Sequence, residues 1–205
     1  MSDINIDIQN ITQPVSVDID FKCETNADAV KEAETLAGVI TKNAPQDITL
    51  NVTRIGQYGC AYLVTHSISC PNVTEVVSYG FAENLFATKY DIPKVTRIYD
   101  NVFSHNSSLQ VIDLPAVTYI YGGAFNRCTS LNTIILRANS VCTLQTYKIL
   151  NDTEFKSSGA GGTLYVPQSL IEQYEADANW SRALAQNENN KILSIEGSIY
   201  ERGGA

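Results

Sequence analysis

The sequence predicts a mixed, β-rich solenoid, a stack of about five units of about 22 residues each, closed by helical caps. Three observations predict it. The tetrapeptide Val-Thr-x-Ile/Val occurs at 52–55, 73–76, 95–98 and 117–120, at steps of 21, 22 and 22 residues. Pro71, Pro93 and Pro115 precede three of these at a fixed offset. Eight residues after each valine stand Cys60, Phe81, Phe103 and Phe125. Several independent columns therefore share one period, which chance rarely produces.

Each column has a physical reading. Before the proline position come apolar-x-apolar pairs: Ile68 and Cys70, Tyr90 and Ile92, Ile112 and Leu114, then Ile134 and Leu136. Alternation places both members of a pair on one face of a short strand and Asp113, for example, on the other. One such strand cannot bury its apolar face alone. Stacking successive units sets Cys70, Ile92, Leu114 and Leu136 in a ladder, with the phenylalanine column filling the core from the far side. Proline at the strand end donates no ladder hydrogen bond, so it ends the strand there. The following Val-Thr-x-Ile is again alternating and β-branched, and predicts a second short strand per unit.

The solenoid is assigned to residues 46–167, opening at Ile48-Thr49-Leu50 and closing at Leu164-Tyr165-Val166-Pro167. The last strand lies 30 residues after Ile134, and the excess is read as a flexible excursion through Ser157-Ser158-Gly159-Ala160-Gly161-Gly162. Residues 26–45 read as an N-terminal capping helix, with Asn26 as N-cap and Ala29, Val30, Ala33, Leu36, Ala37 and Ile40 on one face. Residues 168–197 read as a C-terminal cap: a helix over Gln168–Ala176 packs Leu170, Ile171 and Tyr174, with Trp180 beside it. Residues 198–205 read as a disordered tail. Residues 1–25 form an arm alternating Ile4, Ile6, Ile8, Val15, Val17 and Ile19, suited either to pairing with the first coil or to donation to another chain. Donation to an assembly is favoured, because the arm is longer than covering one coil end requires.

Twenty-two acidic against 14 basic side chains leave a net charge of −8, without a Lys/Arg cluster, so neither nucleic acid nor an anionic membrane is an expected partner. No apolar run is long enough for a membrane-spanning helix. The N-terminus has no basic stretch followed by an apolar run, so no cleavable secretory signal is expected. Cys23, Cys60, Cys70, Cys128 and Cys142 are odd in number and include no CxxC, which fits unbridged thiols made in a reducing compartment. His66 and His105 occupy unlike repeat positions without a cysteine or carboxylate at ligand spacing. No phosphate loop or calcium loop is present. Catalytic residues, metal ligands and cofactors are expected to be none. Five Asn-x-Ser/Thr sequons (Asn10, Asn51, Asn72, Asn106, Asn151) read as by-products of an Asn- and Thr-rich composition.

The stretch Ala124-Phe125-Asn126-Arg127-Cys128-Thr129-Ser130-Leu131-Asn132-Thr133-Ile134-Ile135-Leu136 resembles the repeat of the BspA-like leucine-rich-repeat family. The closing stretch Gly162–Tyr174, followed by Asn179-Trp180-Ser181, resembles the end of such arrays, known from bacteriophage and gut-type bacterial proteins. The resemblance covers about residues 48–195 and implies a leucine-rich-repeat stack. Two units depart from it, since Cys60 and Gly80-Phe81 lack a following Cys-x-x-Leu.

Binding surface is what remains. The outward strand positions form one ladder: His66, Ser67 and Ser69; Thr88, Lys89 and Asp91; Gln110, Val111 and Asp113; Asn132, Thr133 and Ile135. The second strands offer another, Arg54, Glu75, Arg97 and Tyr119 with Tyr99 and Tyr121, whose Tyr and Arg content suits protein or glycan contact. With the resemblance, this implies a non-enzymatic virion component, a head-fibre, decoration or tail-associated protein anchored to other virion or assembly proteins through the arm. A host surface protein or glycan is the expected ligand, and a homo-oligomer is among the expected assemblies. The alternative is a bacterial surface adhesin.

Overall fold

The computed structural model describes residues 17–19, 46–157 and 159–201. The capping helix assigned to 26–45 and the arm positions Ile4, Ile6, Ile8 and Val15 lie outside these residues.

Each coil of the solenoid contributes one main strand and one two-residue strand, and equivalent strands pair in parallel from coil to coil. The main strands are β1 (Val17–Ile19), β2 (Gln46–Leu50), β4 (Thr65–Ser69), β6 (Lys89–Asp91), β8 (Val111–Leu114), β10 (Thr133–Leu136), β12 (Thr163–Val166) and β13 (Lys191–Ser194). They form two four-stranded sheets, ordered β1-β2-β4-β6 and β8-β10-β12-β13. The second strands are β3 (Arg54–Ile55), β5 (Glu75–Val76), β7 (Arg97–Ile98), β9 (Tyr119–Ile120) and β11 (Thr143–Leu144), pairing as β3-β5 and β7-β9-β11. The second strand is thus real but shorter than its tetrapeptide, covering only the x-Ile half.

Register follows the sequence columns. Ile48 opposes Ile68 and Ile68 opposes Tyr90. Ile112, Ile134, Leu164 and Ile192 align across the other sheet. The register of β2 on β4 shifts by one residue between Gln46 and Asp47, with His66 as the extra residue on β4. Phe81, Phe103 and Phe125 are fully buried and stack with centroids 5.8 and 5.7 Å apart and ring planes 17° and 9° from parallel. Their backbones are laced together, since Phe81 N–H donates to the Val102 carbonyl and Phe103 N–H to that of Ala124. Tyr90 replaces the aliphatic residue of its column and wedges its ring 5.1 Å from Phe81 and 4.9 Å from Phe103.

In the units of Phe81 and Phe103, Asn84 and Asn106 take the place of Cys128, and both are fully buried. Asn84 Oδ1 accepts from Leu63 N–H at 2.7 Å, and Asn106 Oδ1 from Asn84 N–H at 2.9 Å. Their amides donate to the Tyr90 hydroxyl and, for Asn84, to the Cys60 carbonyl. In the next coil the Cys128 thiol donates to the Phe103 carbonyl at 2.9 Å. Either residue satisfies a turn whose backbone groups would otherwise be buried without partners. Burial also withdraws Asn106 as a glycosylation acceptor.

At the C-terminal end, α1 (Ile171–Ala176) and α2 (Ala178–Leu184) close the small sheet. Asp177 caps α2 by accepting from Asn179 N–H and Trp180 N–H. The edge strand β11 is sealed by side chains rather than by another strand. Trp180 Nε1–H donates to the Cys142 carbonyl at 2.6 Å, Cys142 N–H donates to the Tyr174 hydroxyl at 2.9 Å, and Asn179 donates to the Leu144 carbonyl.

Four expectations need correction. The excursion before β12 is packed at its end, over Gly161 and Gly162, while Gly159 and Ala160 are exposed. Gly162 lies against the buried Phe155 ring, where a Cβ would come within 2.5 Å, and Gly161 has φ +70° beside the Asn189 backbone. The assigned C-terminal cap contains a further strand, β13, which extends the sheet by one rung. The tail is ordered as far as Glu201. Tyr200 packs edge-on against Tyr165 at 4.8 Å and accepts through its carbonyl from Arg137. Finally, the one described part of the arm does not stand apart, because β1 pairs with β2 of the same chain, Val17 to Ile48 and Ile19 to Leu50.

Two outcomes test this packing. Phe103→Ala empties the centre of the aromatic stack and is expected to cost about 3–5 kcal/mol; an unchanged denaturant midpoint would contradict the column. Deleting residues 1–25 removes the rung that β1 lays on β2, so the melting temperature is expected to fall by several degrees. Light scattering on the truncated and full chains should give the same oligomeric state, and a change in it would assign the arm to assembly instead.

Candidate interaction surfaces

Three faces carry side chains not absorbed by the core. The outward face of the main strands is polar near the N-terminal coils. Ser67 donates to Asp47 at 2.6 Å and Ser69 to Asp91 at 2.9 Å, while Lys89 lies beside Ser67. Gln110 and Asn132 are neighbours, joined by Asn132 N–H donating to the Gln110 carbonyl. This face is not uniformly open. Arg137 grips Asp113 with two parallel hydrogen bonds of 2.8 Å, and Thr133 and Ile135, expected to point to solvent, are buried. Ile135 stands in the register row between Asp113 and Tyr165, where Arg137 and Tyr200 close over the sheet. Asp113 is therefore engaged within the chain.

The second-strand face separates into two groups. Arg54 and Glu75 oppose each other and form an exposed ion pair at 2.6 Å, worth little in solvent. Arg97 opposes Tyr119 one coil on. Tyr99 stacks on Tyr121 at 5.0 Å and 22°, and Tyr121 contacts Tyr119 at 4.6 Å. Three half-exposed tyrosines and one exposed arginine thus converge, whereas Arg54 and Glu75 satisfy one another two coils away.

The third face went unrecognised in the sequence. Ten residues after each repeat valine stand Tyr62, Glu83, His105 and Arg127. All four adopt the left-handed conformation, with φ of 62°, 61°, 62° and 57°. Asp152 does the same in the longer fifth unit, at φ 60°. Each non-glycine residue so held costs about 1–2 kcal/mol, and Asn is the cheapest alternative to Gly. A second left-handed column, four residues earlier, passes from Tyr58 and Tyr79 to Asn101 and Gly123. The corner column uses neither Gly nor Asn. Its side chains line up: Glu83 Oε1 lies 3.2 Å from His105 Nδ1, and Arg127 Nη1 lies 3.2 Å from His105 Nε2. Burial of its base, and then the Glu83 charge, hold the Tyr62 phenol above its ordinary value. Beside the ladder runs an open groove of about 460 Å³ lined by Leu85, His105, Ser107, Arg127, Thr129 and Asp152. The fixed offset of ten residues was legible in the sequence, but nothing in residue type announced a common backbone conformation.

His105 has gained a carboxylate neighbour that sequence spacing did not show. It does not thereby become a catalytic base of the triad kind. Ser104 Oγ and Glu83 both face Nδ1, at 2.8 and 3.2 Å, whereas a triad needs the hydroxyl and the acid on opposite ring nitrogens. Nε2 is turned to a guanidinium. Among the described residues no three His, Cys, Asp or Glu side chains are grouped to hold a metal ion.

A family model described as the BspA type leucine-rich repeat region matches residues 43–156 in six copies. The chain belongs to the BspA-type leucine-rich-repeat family. A solved structure of a leucine rich cell surface protein from Faecalibacterium prausnitzii A2-165 is similar at 19% identity and a TM-score of 0.40. The similarity covers 76% of this chain and 34% of that one, so the chain spans about a third of that protein's length. No curated protein matches. No helix among the described residues is long and apolar enough to cross a membrane.

Within this BspA-type array the cysteines belong to the columns. Cys60, Cys70, Cys128 and Cys142 are all buried. Burial pushes the thiols of Cys70, Cys128 and Cys142 from 9.0 up to about 12, with Asp91 and Asp177 adding to the effect at Cys70 and Cys142. A thiol held so far above neutrality is a core side chain rather than a nucleophile. The folded chain keeps protons that the unfolded chain releases, so this contribution is whole below about pH 9 and is lost as pH rises toward 12. The melting temperature is expected to decline across that window. Iodoacetamide at pH 8 should leave the three cysteines unmodified until the chain is unfolded, and their rapid labelling in the native state would contradict the assignment.

Proposed function

We propose that this chain is a non-enzymatic recognition module of the adhesin type, displayed at a bacterial cell surface and binding a host protein. The observation that carries the reading is the convergence of Tyr99, Tyr119 and Tyr121 beside Arg97 on the second-strand face. Tyrosine and arginine dominate protein-binding hot spots, because a rigid ring buries much area at low entropic cost and the guanidinium adds directed hydrogen bonds. Neighbouring coils hold the three rings in place, so little ordering remains to be done on binding. Membership of the BspA-type family supports a binding role. The geometry at His105 and the raised thiols speak against a hydrolase.

The virion component implied by the family resemblance draws no support from either comparison, and the pairing of β1 with its own chain weakens the case for an anchoring arm. The surface module is therefore preferred. Surface display is tested by protease shaving of intact producer cells alongside an immunoblot of purified phage particles. Release of the protein from cells supports the module, and its recovery in particles would restore the virion reading. For the site, the triple variant Tyr99→Ser, Tyr119→Ser, Tyr121→Ser is expected to keep the fold and lose at least tenfold in affinity for immobilised host-matrix proteins. Unchanged binding would move the function to another face, and binding confined to a glycan array would change the ligand class.

A further inference from the structure

The corner column poses a question the fold does not answer. Gly holds such a turn at the lowest cost, and Asn, Asp and His bear it better than other residues; the neighbouring column carries Tyr58 and Tyr79 as well as Asn101 and Gly123. Yet the corner column carries Glu83, His105 and Arg127 in contact, in that order along the stack. Such conformational cost concentrates where a side chain is wanted for its own chemistry. Apolar surface gathers at the same corner. Leu85, on the groove wall, is 45% exposed, and Tyr62, at the head of the ladder, is 60% exposed. Among the described residues the other exposed large hydrophobic side chains are Phe86, Leu193 and Ile199.

We propose that this groove is a second docking site, separate from the tyrosine face, for an extended segment of a protein partner that sets an acidic side chain on Arg127 and an apolar one on Leu85. Arg127 is the group that selects charge. It has no carboxylate at ion-pair distance among the described residues, and its contact with His105 Nε2 uses one N–H of Nη1. The remaining guanidinium donors suit a carboxylate in the two-pronged arrangement that fixes orientation. Glu83 is already matched by His105. Asp152, on the groove wall, repels a run of acids, so the segment carries one acid followed by a basic or amide residue. The open, shallow form of the groove suits an extended chain better than an enclosed small molecule.

The test uses the full chain and an mRNA-displayed library of random dodecapeptides. Selection is expected to enrich an acidic residue adjacent to Leu, Ile or Phe, and fluorescence anisotropy with the consensus peptide supplies the affinity. Arg127→Gly should weaken that peptide at least tenfold while the melting temperature stays level or rises, since glycine relieves the left-handed turn. Leu85→Ser should weaken it several-fold, and Arg127→Glu should select basic in place of acidic residues. Three results would overturn the proposal. One is a consensus peptide indifferent to Arg127→Gly and Leu85→Ser. Another is a clear fall in melting temperature for Arg127→Gly, which would make the column structural. The third is an empty peptide selection with glycan-array binding lost in Arg127→Gly, which would assign the groove to carbohydrate.

Discussion

Every other feature of this molecule depends on the in-register stacking of Phe81, Phe103 and Phe125. A coil of about 22 residues has too little apolar side chain to close a core by itself, and no rung is an independent folding unit. The rings remove this difficulty by serving as one another's interior. Their parallel planes require each coil to start its turn at the same height, and the backbone bonds from Phe81 to Val102 and from Phe103 to Ala124 impose that. Tyr90 shows how tight the constraint is. A larger side chain enters the strand column only because its hydroxyl reaches the Asn84 and Asn106 amides and its ring meets two phenylalanines edge-on or tilted.

At the C-terminal end of the stack the two sheets close by different chemistry. The small sheet stops at β11, whose backbone groups are met by Trp180, Tyr174 and Asn179 from the helices, so polar atoms are satisfied without a further strand. The main sheet instead continues to β13, and the chain then turns back so that Tyr200 packs on Tyr165. That return covers Ile135 and helps Arg137 engage Asp113. One half of the outward face is thereby closed, and the open part shifts toward the earlier coils, the tyrosine face and the corner groove.

The surfaces left open share one property. Their side chains are positioned by coils rather than by their own neighbours in sequence, so Tyr99 meets Tyr121 and Glu83 meets His105 across 22 residues. A repeat array therefore builds precise constellations from residues that look isolated along the chain. It also tolerates their exchange, because an exposed position at a turn contributes little to the stack. The corner column goes further, since its residues are held at some cost to the fold.

The sequence by itself determined the architecture. A constant interval makes residue i and the residue about 22 further on spatial neighbours, so Val52, Val73, Val95 and Val117, or Ile112 and Ile134, had to share a ladder whatever else the chain did. The convergence of Tyr99, Tyr119 and Tyr121 was legible for the same reason. Tertiary structure alone decided the rest, and in each case the deciding quantity has no period. The sign of φ at Tyr62, Glu83, His105 and Arg127 depends on how the turn closes, not on residue type, and four unlike side chains gave no compositional signal. The closing of the sheet beside Ile135 depends on a tail whose path is set by single contacts of Arg137 and Tyr200. The packed course of Gly161 and Gly162 depends on Phe155, Asn189 and Asn190, which lie outside the repeat. Periodic sequence specifies what repeats, while irregular contacts made once per molecule are specified only by the three-dimensional neighbourhood that the repeat creates.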